Sequence, residues 1–248
     1  MCGTCGCGDT DLVPVEIQES LLAANDHAAA HNREHFAAAD LTTINLMGSP
    51  GSGKTALLEA TAVELGGRLR LAAVSGDLAT ARDADRLEAA GIPARSITTG
   101  SACHLDAELV HRTLHGWSHE GWSIDETDLL FVENVGNLVC PAIYDLGQQA
   151  NVVALSVTEG EDKPLKYPVM FHHADLVLIT KIDLAPHLPG FDFGALEAAL
   201  AEVMPEPRAI RTSAVSGEGI DRWIDWLESR RGPQRRTTAA VEVARLGR

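Results

Sequence analysis

Residues 48–55 read GSPGSGKT, and this octapeptide limits the possible folds more than any other part of the chain. It fits the pattern G-x-x-x-x-G-K-[ST], with an apolar run at 43–47 before it and a helix-forming run at 56–60 after it. In such a loop the glycines let successive backbone N–H groups surround phosphate oxygens, and the dipole of the following helix adds positive potential. The octapeptide therefore predicts a phosphate-binding loop between a buried strand and a helix.

From Thr42 onward, short apolar runs alternate with amphipathic stretches. The runs 129–132 and 176–179 are apolar at consecutive positions, which is typical of strands buried on both faces of a parallel sheet. We therefore predict an α/β fold of the P-loop NTPase class, a mostly parallel β-sheet flanked by helices. The expected strands lie near 42–47, 69–75, 128–132, 151–157, 175–180 and 207–212, and the expected helices near 54–65, 80–90, 104–116, 192–203 and 217–229.

The parts outside this alternating pattern indicate separate segments. Residues 1–11 are rich in Cys and Gly, and we interpret them as a short metal-binding segment. Residues 12–40 are predicted to be helical, because Ile17, Leu21 and Leu22 recur at helical spacing before an alanine-rich run. Residues 41–230 form the nucleotide-binding domain, and 231–248 are an arginine-containing tail that we expect to be flexible.

Charge and hydropathy exclude two classes of partner. The 248 residues carry a formal net charge of −15, whereas a nucleic-acid-binding surface is basic. No apolar run approaches the ~18 residues that a membrane span requires, and the N-terminus lacks the charged and apolar parts of a secretory signal. We therefore expect no nucleic-acid binding, no membrane insertion and a cytoplasmic location, where thiols stay reduced.

The phosphate-binding loop assigns the first set of site residues. We expect Lys54 to face the β and γ phosphates and the Thr55 hydroxyl to bind Mg²⁺. The residues predicted to contact the nucleotide here are Gly48, Ser49, Gly51, Ser52, Gly53, Lys54, Thr55 and Ala56.

Two acids follow predicted strands. Asp77 comes after the apolar run 71–74, and Glu133 ends the run 129–132. Acids at the carboxyl ends of parallel strands face the crevice where such sheets bind ligands. A P-loop enzyme needs a carboxylate to hold Mg²⁺ and to orient the attacking water. Lys54, Asp77 and Glu133 are therefore the predicted catalytic residues, with Thr55 and both acids as the magnesium site.

The base that this site accepts is indicated by residues 180–183, which read TKID. They resemble the Asn-Lys-x-Asp motif of GTPases, in which the aspartate accepts hydrogen bonds from two N–H groups of guanine. Adenine lacks that donor pair, so it would leave a buried carboxylate unsatisfied. Lys181 and Asp183 match the motif, while Thr180 replaces its asparagine. Ser213 and Ala214 resemble the last guanine-binding loop of the same proteins.

The cysteines point to a second kind of chemistry. Cys2, Cys5 and Cys7 place three soft ligands in one short segment, and thiolates select nickel, zinc, copper(I) or iron–sulfur species over magnesium. The pair Cys103–His104 and the separate Cys140 would add two thiolates and an imidazole. Three ligands fall short of a closed four-coordinate site, which sharing across a homodimer would complete. Alternatively, these cysteines are incidental thiols at the N-terminus and small buried hydrophobic residues elsewhere.

With these motifs the chain resembles the hydrogenase nickel-incorporation GTPases, the HypB type. The segments that carry the resemblance are the opening Cys-x-x-Cys-Gly-Cys, GSPGSGKT at 48–55, GDLATARDADRL at 76–87, Cys103–His104, ENVGNLVCP at 133–141, EGEDKPLKYP at 159–168 and TKIDL at 180–184. The resemblance implies a GTPase that dimerises with its nucleotide and helps deliver nickel to the large subunit of [NiFe]-hydrogenase, together with other maturation proteins. Cys2, Cys5 and Cys7 would form a high-affinity nickel site, and Cys103, His104 and Cys140 a site for nickel or zinc.

Some features stay open in the sequence. A GTPase chaperone for another nickel or cobalt enzyme, of the urease or cobalamin type, is the main alternative; an ATP-dependent small-molecule kinase and a non-enzymatic metal scaffold are two others. His27, His31 and His35 share one face of a predicted helix, which an exposed polar face explains as well as a metal site does. Arg82 and Lys163 are candidate phosphate contacts, within one chain or across a dimer.

Overall fold

A computed structural model describes residues 15–77, 80–100 and 104–232. In this part of the chain, the strands are β1 Thr42–Met47, β2 Leu71–Asp77, β3 Ala94–Thr98, β4 Leu129–Glu133, β5 Ala150–Ser156, β6 Leu176–Thr180 and β7 Ala209–Arg211. The helices are α1 Val15–Ala38, α2 Lys54–Leu65, α3 Arg82–Ala89, α4 Ala107–Ser118, α5 Lys163–Lys166, α6 Pro168–His172, α7 Phe193–Val203 and α8 Ile220–Arg230. The predicted ligands Cys2, Cys5, Cys7 and Cys103, and the tail beyond 232, lie outside the described residues.

The strands form one sheet in the order β3-β2-β4-β1-β5-β6-β7, and every pair of neighbours is parallel. Strand β1 lies between β4 and β5, so the chain leaves it at a point where the strand order reverses. Ligands bind at such a point, outside the carboxyl ends of the strands. The predicted parallel α/β fold is therefore confirmed, and the loop after β1 opens into the ligand-binding crevice.

Alternate residues of the strands are buried on opposite faces of the sheet, as the two-residue period of a strand requires. On one face, Ile44 and Phe131 belong to a core that includes Leu57 and Leu58 of α2 and Trp223 of α8. On the other face, one core contains side chains of α1 and α4, and a second contains side chains of α6 and α7. Both faces of the central strands are covered, which explains their uninterrupted apolar runs.

Helix α1 is attached to the domain mainly by asparagines. The Asn32 side-chain amide donates to the carbonyls of Ala107, 2.9 Å away, and Leu146, 3.1 Å away. Asn25 accepts from the Ala107 backbone N–H at 3.0 Å, and Phe36 of the same helix is buried. The predicted helix is confirmed, but its spacing residues do not all face the core. Leu21 is exposed, and the buried stripe runs through Asn25, Ala29, Asn32 and Phe36.

All six expected strands and all six expected helices are present, with ends that differ by at most three residues. Strand β3 and the short helices α5 and α6 were not predicted. Strand β3 lies at the edge of the sheet and buries only Ala94 and Ile97 along its length, so it lacks the apolar run of an internal strand. In the part of the chain that the structure describes, no helix combines the length and the hydropathy needed to span a membrane.

Candidate nucleotide and metal site

The loop between β1 and α2 has the backbone of a phosphate-binding loop. Gly48, Gly51 and Gly53 have φ values of 148°, 74° and 94°, a region that L side chains rarely adopt. A Cβ atom on Gly48 would also lie 2.4 Å from the Ala154 carbonyl oxygen of β5. Glycine is therefore required at residue 48 by conformation and by space. The strand before the loop and the helix that begins at Lys54 confirm the context that the motif needs.

Lys54 folds back over this loop. Its ammonium group donates to the carbonyl oxygens of Gly48 and Ser49, each 3.3 Å away. Burial lowers the pKa of Lys54, and the nearby carboxylates, Glu133 first among them, oppose that shift. A buried ammonium held by two carbonyls is poised to pair with an anion, and phosphate oxygens are the anions that the surrounding N–H groups accommodate.

Next to Lys54, the Thr55 hydroxyl joins two carboxyl groups. Its Oγ1 lies 2.8 Å from Glu133 Oε1 and 2.9 Å from Asp83 Oδ1, although a hydroxyl has only one hydrogen to donate. Burial raises the pKa of Glu133 to about 7, with the Thr55 hydrogen bond and Lys54 acting in the opposite direction. Glu133 Oε2 is buried without a hydrogen-bond partner among the described residues. These oxygens therefore have fewer hydrogen-bond donors than they can accept, and a bound cation would compensate for the shortfall.

The residues present fit a magnesium ion. Mg²⁺ takes oxygen ligands, commonly from one or two carboxylates together with substrate phosphates and waters. The Thr55 hydroxyl and the second oxygen of Glu133 supply such donors, and Asp83 lies beside them. Asp77, the last residue of β2, lines the same cavity of about 470 Å³ as Lys54, Thr55 and Glu133. Asp83 was not predicted, although it stands in the first turn of α3, which faces this loop.

The residues predicted to recognise the base also lie close together. Asp183 Oδ1 accepts a hydrogen bond of 2.5 Å from the Ser213 hydroxyl, and Lys181 donates to the Gly51 carbonyl at 2.6 Å. The Thr180 hydroxyl donates to the Ser52 carbonyl at 2.5 Å and thereby joins β6 to the phosphate loop. Lys181 has φ +58°, so its side chain leaves the strand end toward the phosphate loop. Sequence reasoning treated Thr180 only as a departure from the motif, whereas it makes a contact of its own. Ala214, the next residue after Ser213, is exposed.

The candidate phosphate cations differ in position. Arg82 is exposed at the start of α3, while Arg86, one turn later, lines the cavity and donates to Glu59 at 2.7 Å and to Asp83 at 3.5 Å. Lys163 pairs with Glu159 at 3.4 Å. Arg86 was missed because an arginine on an amphipathic helix gives no sequence signal. Its placement becomes evident only once α3 packs beside α2.

The loop that follows Glu133 lies directly on the phosphate loop. Gly48 and Asn137 form an isolated antiparallel bridge. A Cβ atom on Gly136 would lie 2.8 Å from Pro50 Cγ, so the two backbones approach closely. Asn134, next to Glu133, accepts a hydrogen bond of 3.2 Å from the Leu105 backbone N–H. The same short loop therefore contacts both the phosphate loop and the residue that follows His104.

The described part of the predicted transition-metal site is buried. The His104 ring stacks on Tyr144 with centroids 3.8 Å apart, and Cys140 is buried at the start of a 3₁₀ turn, Cys140–Ala142. Burial lowers the pKa of His104, with Asp106 opposing, which favours the neutral imidazole that binds metals. Across residues 15–77, 80–100 and 104–232, no three His, Cys, Asp or Glu side chains surround one point closely enough to hold a metal ion. Cys103 is not among those residues.

The central strand of the parallel sheet leads into the phosphate-binding loop, and a lysine and a threonine bonded to an acid lie beside that loop. This combination defines a P-loop nucleotide-binding protein. Comparison with known proteins narrows the class. Residues 42–210 match the family described as CobW/HypB/UreG, nucleotide-binding domain. That match covers more than half of the chain, and the chain belongs to this family.

Individual relatives agree with this assignment. The chain is 52% identical over 223 residues to the hydrogenase maturation factor HypB of Azotobacter chroococcum mcd 1, covering 90% of this chain and 71% of that one. It is 46% identical over 217 residues to the HypB of Escherichia coli K12, covering 88% and 73%. The crystal structure of HypB from Helicobacter pylori in complex with nickel superposes with a TM-score of 0.78 at 39% identity, covering 85% of this chain and 98% of that one. The resemblance to the HypB type is confirmed.

Proposed function

We propose that this chain is a GTP-hydrolysing nickel metallochaperone that assists nickel insertion into [NiFe]-hydrogenase. Its relatives are named as hydrogenase maturation factors, and a similar protein has been crystallised with nickel. The observation that carries the proposal is the loop from Glu133 to Cys140. It contacts the phosphate loop at Gly48 and Pro50, begins with the acid bound to Thr55, and ends at a buried cysteine.

Guanine selectivity is supported by the orientation of Asp183. The Ser213 hydroxyl donates to one of its carboxylate oxygens, which fixes the side chain at the carboxyl end of the sheet. An oriented carboxylate can accept from the two adjacent N–H groups of guanine, and an adenine in the same place would leave it unsatisfied. Lys181 crosses the phosphate loop at Gly51, so its aliphatic stem would lie along the plane of the base.

For hydrolysis, this chain supplies groups that bind the phosphates and acids that can orient the attacking water. The Lys54 ammonium would leave its two carbonyl partners for the β and γ phosphate oxygens. Bound Mg²⁺ would neutralise charge on the terminal phosphates. Glu133 or Asp77 would accept a hydrogen bond from the attacking water and hold it in line. Without an arginine delivered to the transition state, we expect slow turnover, on the order of 10⁻⁴ s⁻¹.

The cargo metal would be held by soft donors. Cys103, His104 and Cys140 would take nickel or zinc, and Cys2, Cys5 and Cys7 would form a separate, tighter nickel site. Val139 and Ile143, on either side of Cys140, are 57% and 42% exposed. Exposed apolar side chains beside a ligand favour contact with another protein surface. A nucleotide-promoted homodimer would cover them and would complete an ion shell that one chain leaves open.

Coupling between the two sites follows from their shared loop. Loss of the γ phosphate would remove the group that Lys54 and the magnesium ion bind. The loop from Glu133 to Cys140 would then be free to change its conformation. Cys140 would move with that loop relative to His104. A coupling free energy of about 1–3 kcal/mol would change nickel affinity about 5- to 150-fold between the two nucleotide states. The hydrogenase large subunit, presented with other maturation proteins, would receive the released ion.

The test is a nickel titration of the purified chain in three states: without nucleotide, with GDP and with a non-hydrolysable GTP analogue. We expect nickel affinity to differ at least fivefold between the GDP and GTP-analogue states. An ATP analogue at the same concentration is the control and is expected to leave the nucleotide-free affinity unchanged. Equal nickel affinity in all states would reduce the chain to a metal-sequestering protein. An equal response to the ATP analogue would contradict guanine selectivity.

A further inference from the structure

Histidines of α1 and α4 meet on the surface of the domain, away from the nucleotide cavity. Within each helix they follow a four-residue spacing, which stacks side chains on one face. Between the helices, the His31 and His111 ring centroids are 4.9 Å apart. We call this set the histidine ladder; it consists of His31 and His35 of α1, His111 and His115 of α4, and His119 at the end of α4.

The spacing of the rings matches what two imidazoles bound to one ion would show. With metal–nitrogen bonds of about 2.1 Å and a bond angle of about 90–110°, two ring centroids lie roughly 4.5–5.2 Å apart. The His31–His35, His31–His111 and His115–His119 centroids are 4.9, 4.9 and 4.7 Å apart. The His111–His115 pair, at 6.3 Å, is wider. In three of the contacts the ring separation is therefore already within the range of a chelated pair.

The two helices are fixed relative to one another, which lowers the cost of bridging them. Asn32 lies one residue after His31 and donates to the Ala107 carbonyl at the start of α4. Asn25 binds the Ala107 backbone N–H, so α1 contacts the start of α4 at two points. His31 and His35 are exposed, and their rings can rotate to meet a ligand. Burial, followed by the neighbouring His31, lowers the pKa of His111 and favours the neutral ring.

We propose that the histidine ladder binds borderline divalent transition-metal ions such as Ni²⁺ or Zn²⁺, two imidazoles at a time. Imidazole nitrogen suits these ions, whereas Mg²⁺ and Ca²⁺ require oxygen ligands. No third His, Cys, Asp or Glu of the described residues closes a shell around any pair, so water completes the coordination. The ladder therefore forms an open, exchangeable surface site, separate from Cys140 and from the nucleotide cavity.

The experiment uses the full chain with all five cysteines replaced by serine, because this removes every thiolate proposed above as a metal ligand. Ni²⁺ alone is titrated by calorimetry without nucleotide. We expect binding in this parent, and about tenfold or greater weakening in H31Q/H35Q/H111Q/H119Q, which removes all three close contacts. The matched control H172Q/H173Q/H187Q removes three other exposed histidines and should keep the parent affinity. Because no cysteine is present, the outcome is independent of the proposed nucleotide-coupled function.

A second readout separates metal binding from altered packing. An ion bridging α1 and α4 binds only the folded chain, so Ni²⁺ should raise the Tm of the parent and of the control. The same Ni²⁺ should leave the Tm of H31Q/H35Q/H111Q/H119Q unchanged, and Mg²⁺ should have no effect on any of them. If this quadruple variant does not fold, H31Q/H119Q also removes all three close contacts and serves instead. Equal nickel affinity in parent and ladder variant, or equal loss in the control, would overturn the proposal.

Discussion

Glu133 makes the nucleotide-free chain sensitive to pH. Burial raises the pKa of Glu133 to about 7 from 4.5, so the folded chain keeps a proton that the unfolded chain has released. The free energy of unfolding therefore falls as the pH rises from about 4.5 to about 7, and the contribution of the protonated acid is lost above that window. At pH 8 the folded chain must hold an ionised, partly unsatisfied carboxylate.

We accordingly predict that Glu133→Gln stabilises the nucleotide-free chain at pH 8 by about 2–3 kcal/mol and changes its stability little at pH 5. Urea unfolding at the two pH values measures the difference. Glu202→Gln, at an exposed position on α7, is the control and should show no pH-dependent gain. If Glu133→Gln destabilised the chain equally at both pH values, the carboxylate would be required in its charged form and this account of Glu133 would be wrong.

Asp183 is the residue that we propose selects the base. In Asp183→Asn, the amide offers a donor where guanine also has one, so GDP affinity should fall by about 100-fold or more. Xanthine carries a carbonyl in place of the guanine amino group, so XDP should bind the variant more tightly than GDP does. Competition between GDP and XDP for a fluorescent nucleotide measures both effects. Asp221→Asn, an exposed acid in the first turn of α8, should leave the wild-type preference intact; an unchanged preference in Asp183→Asn would refute guanine recognition by this residue.

Among helices, α1 depends on polar anchors more than on apolar surface. Asn32→Ala would leave the Ala107 and Leu146 carbonyls without the amide that now bonds both. Leaving buried acceptors unsatisfied costs about 1–3 kcal/mol each at most, and we expect a total loss of roughly 2–4 kcal/mol in the free energy of unfolding. In this variant, the amides of α1 should exchange hydrogen faster than those of α2, because the two lost hydrogen bonds attach α1 and not α2 to the domain.

The salt bridge between Arg33 of α1 and Asp145 provides a control for the effect of Asn32→Ala. Arg33 lies 2.6 Å from Asp145, but both side chains are more than one third exposed. Exposed pairs contribute at most about 1 kcal/mol, so Arg33→Ala should change stability far less than Asn32→Ala. A larger loss in Arg33→Ala would mean that charge, and not the buried amide, holds α1 in place.

The helices and strands differ in how well the sequence predicts them. Helix α2 was placed with the bounds that the structure shows, because the phosphate loop fixes its start and the glycines at 66 and 67 end it. The central strands were found because burial on both faces demands continuous apolar residues. Edge strand β3 and helix α5 were missed for the opposite reason: they are short and half-covered, and tertiary contacts determine their conformation. Helix α1 was predicted from its helical spacing, although its buried stripe is partly asparagine.

In the site, the sequence predicted the residues that belong to motifs and missed those that reach it from neighbouring elements. Lys54, Thr55, Lys181 and Asp183 were predicted because each motif requires a given residue type at a given spacing, and Glu133 because it ends a predicted strand. Asp83, Arg86 and Thr180 were not, since their roles depend on how α3 and β6 pack beside the phosphate loop. The bridge between Gly48 and Asn137 could not be inferred either. A contact between two loops is set by strand order, which local sequence does not encode.

For the molecule as a whole, the proposed nickel site and the nucleotide site must obey one thermodynamic cycle. If the GTP analogue changes nickel affinity by some factor, nickel must change the affinity for the analogue by the same factor, because both describe one coupling free energy. Separate titrations of nickel and of nucleotide, each with and without the other ligand, should therefore give equal ratios within error.

Cys140→Ser tests where that coupling resides. It removes the thiolate at the far end of the loop but none of the nucleotide contacts, so GDP affinity in the absence of metal should stay within about threefold of wild type. The ratio of nickel affinities with and without the GTP analogue should fall toward one, and so should the ratio of analogue affinities with and without nickel. A metal that is not bound to the loop has the same affinity in either position of the loop. Cys2→Ser, which alters the predicted N-terminal site, should weaken nickel binding but leave the remaining coupling ratio unchanged. Full coupling in Cys140→Ser would show that the metal and the nucleotide communicate by another route.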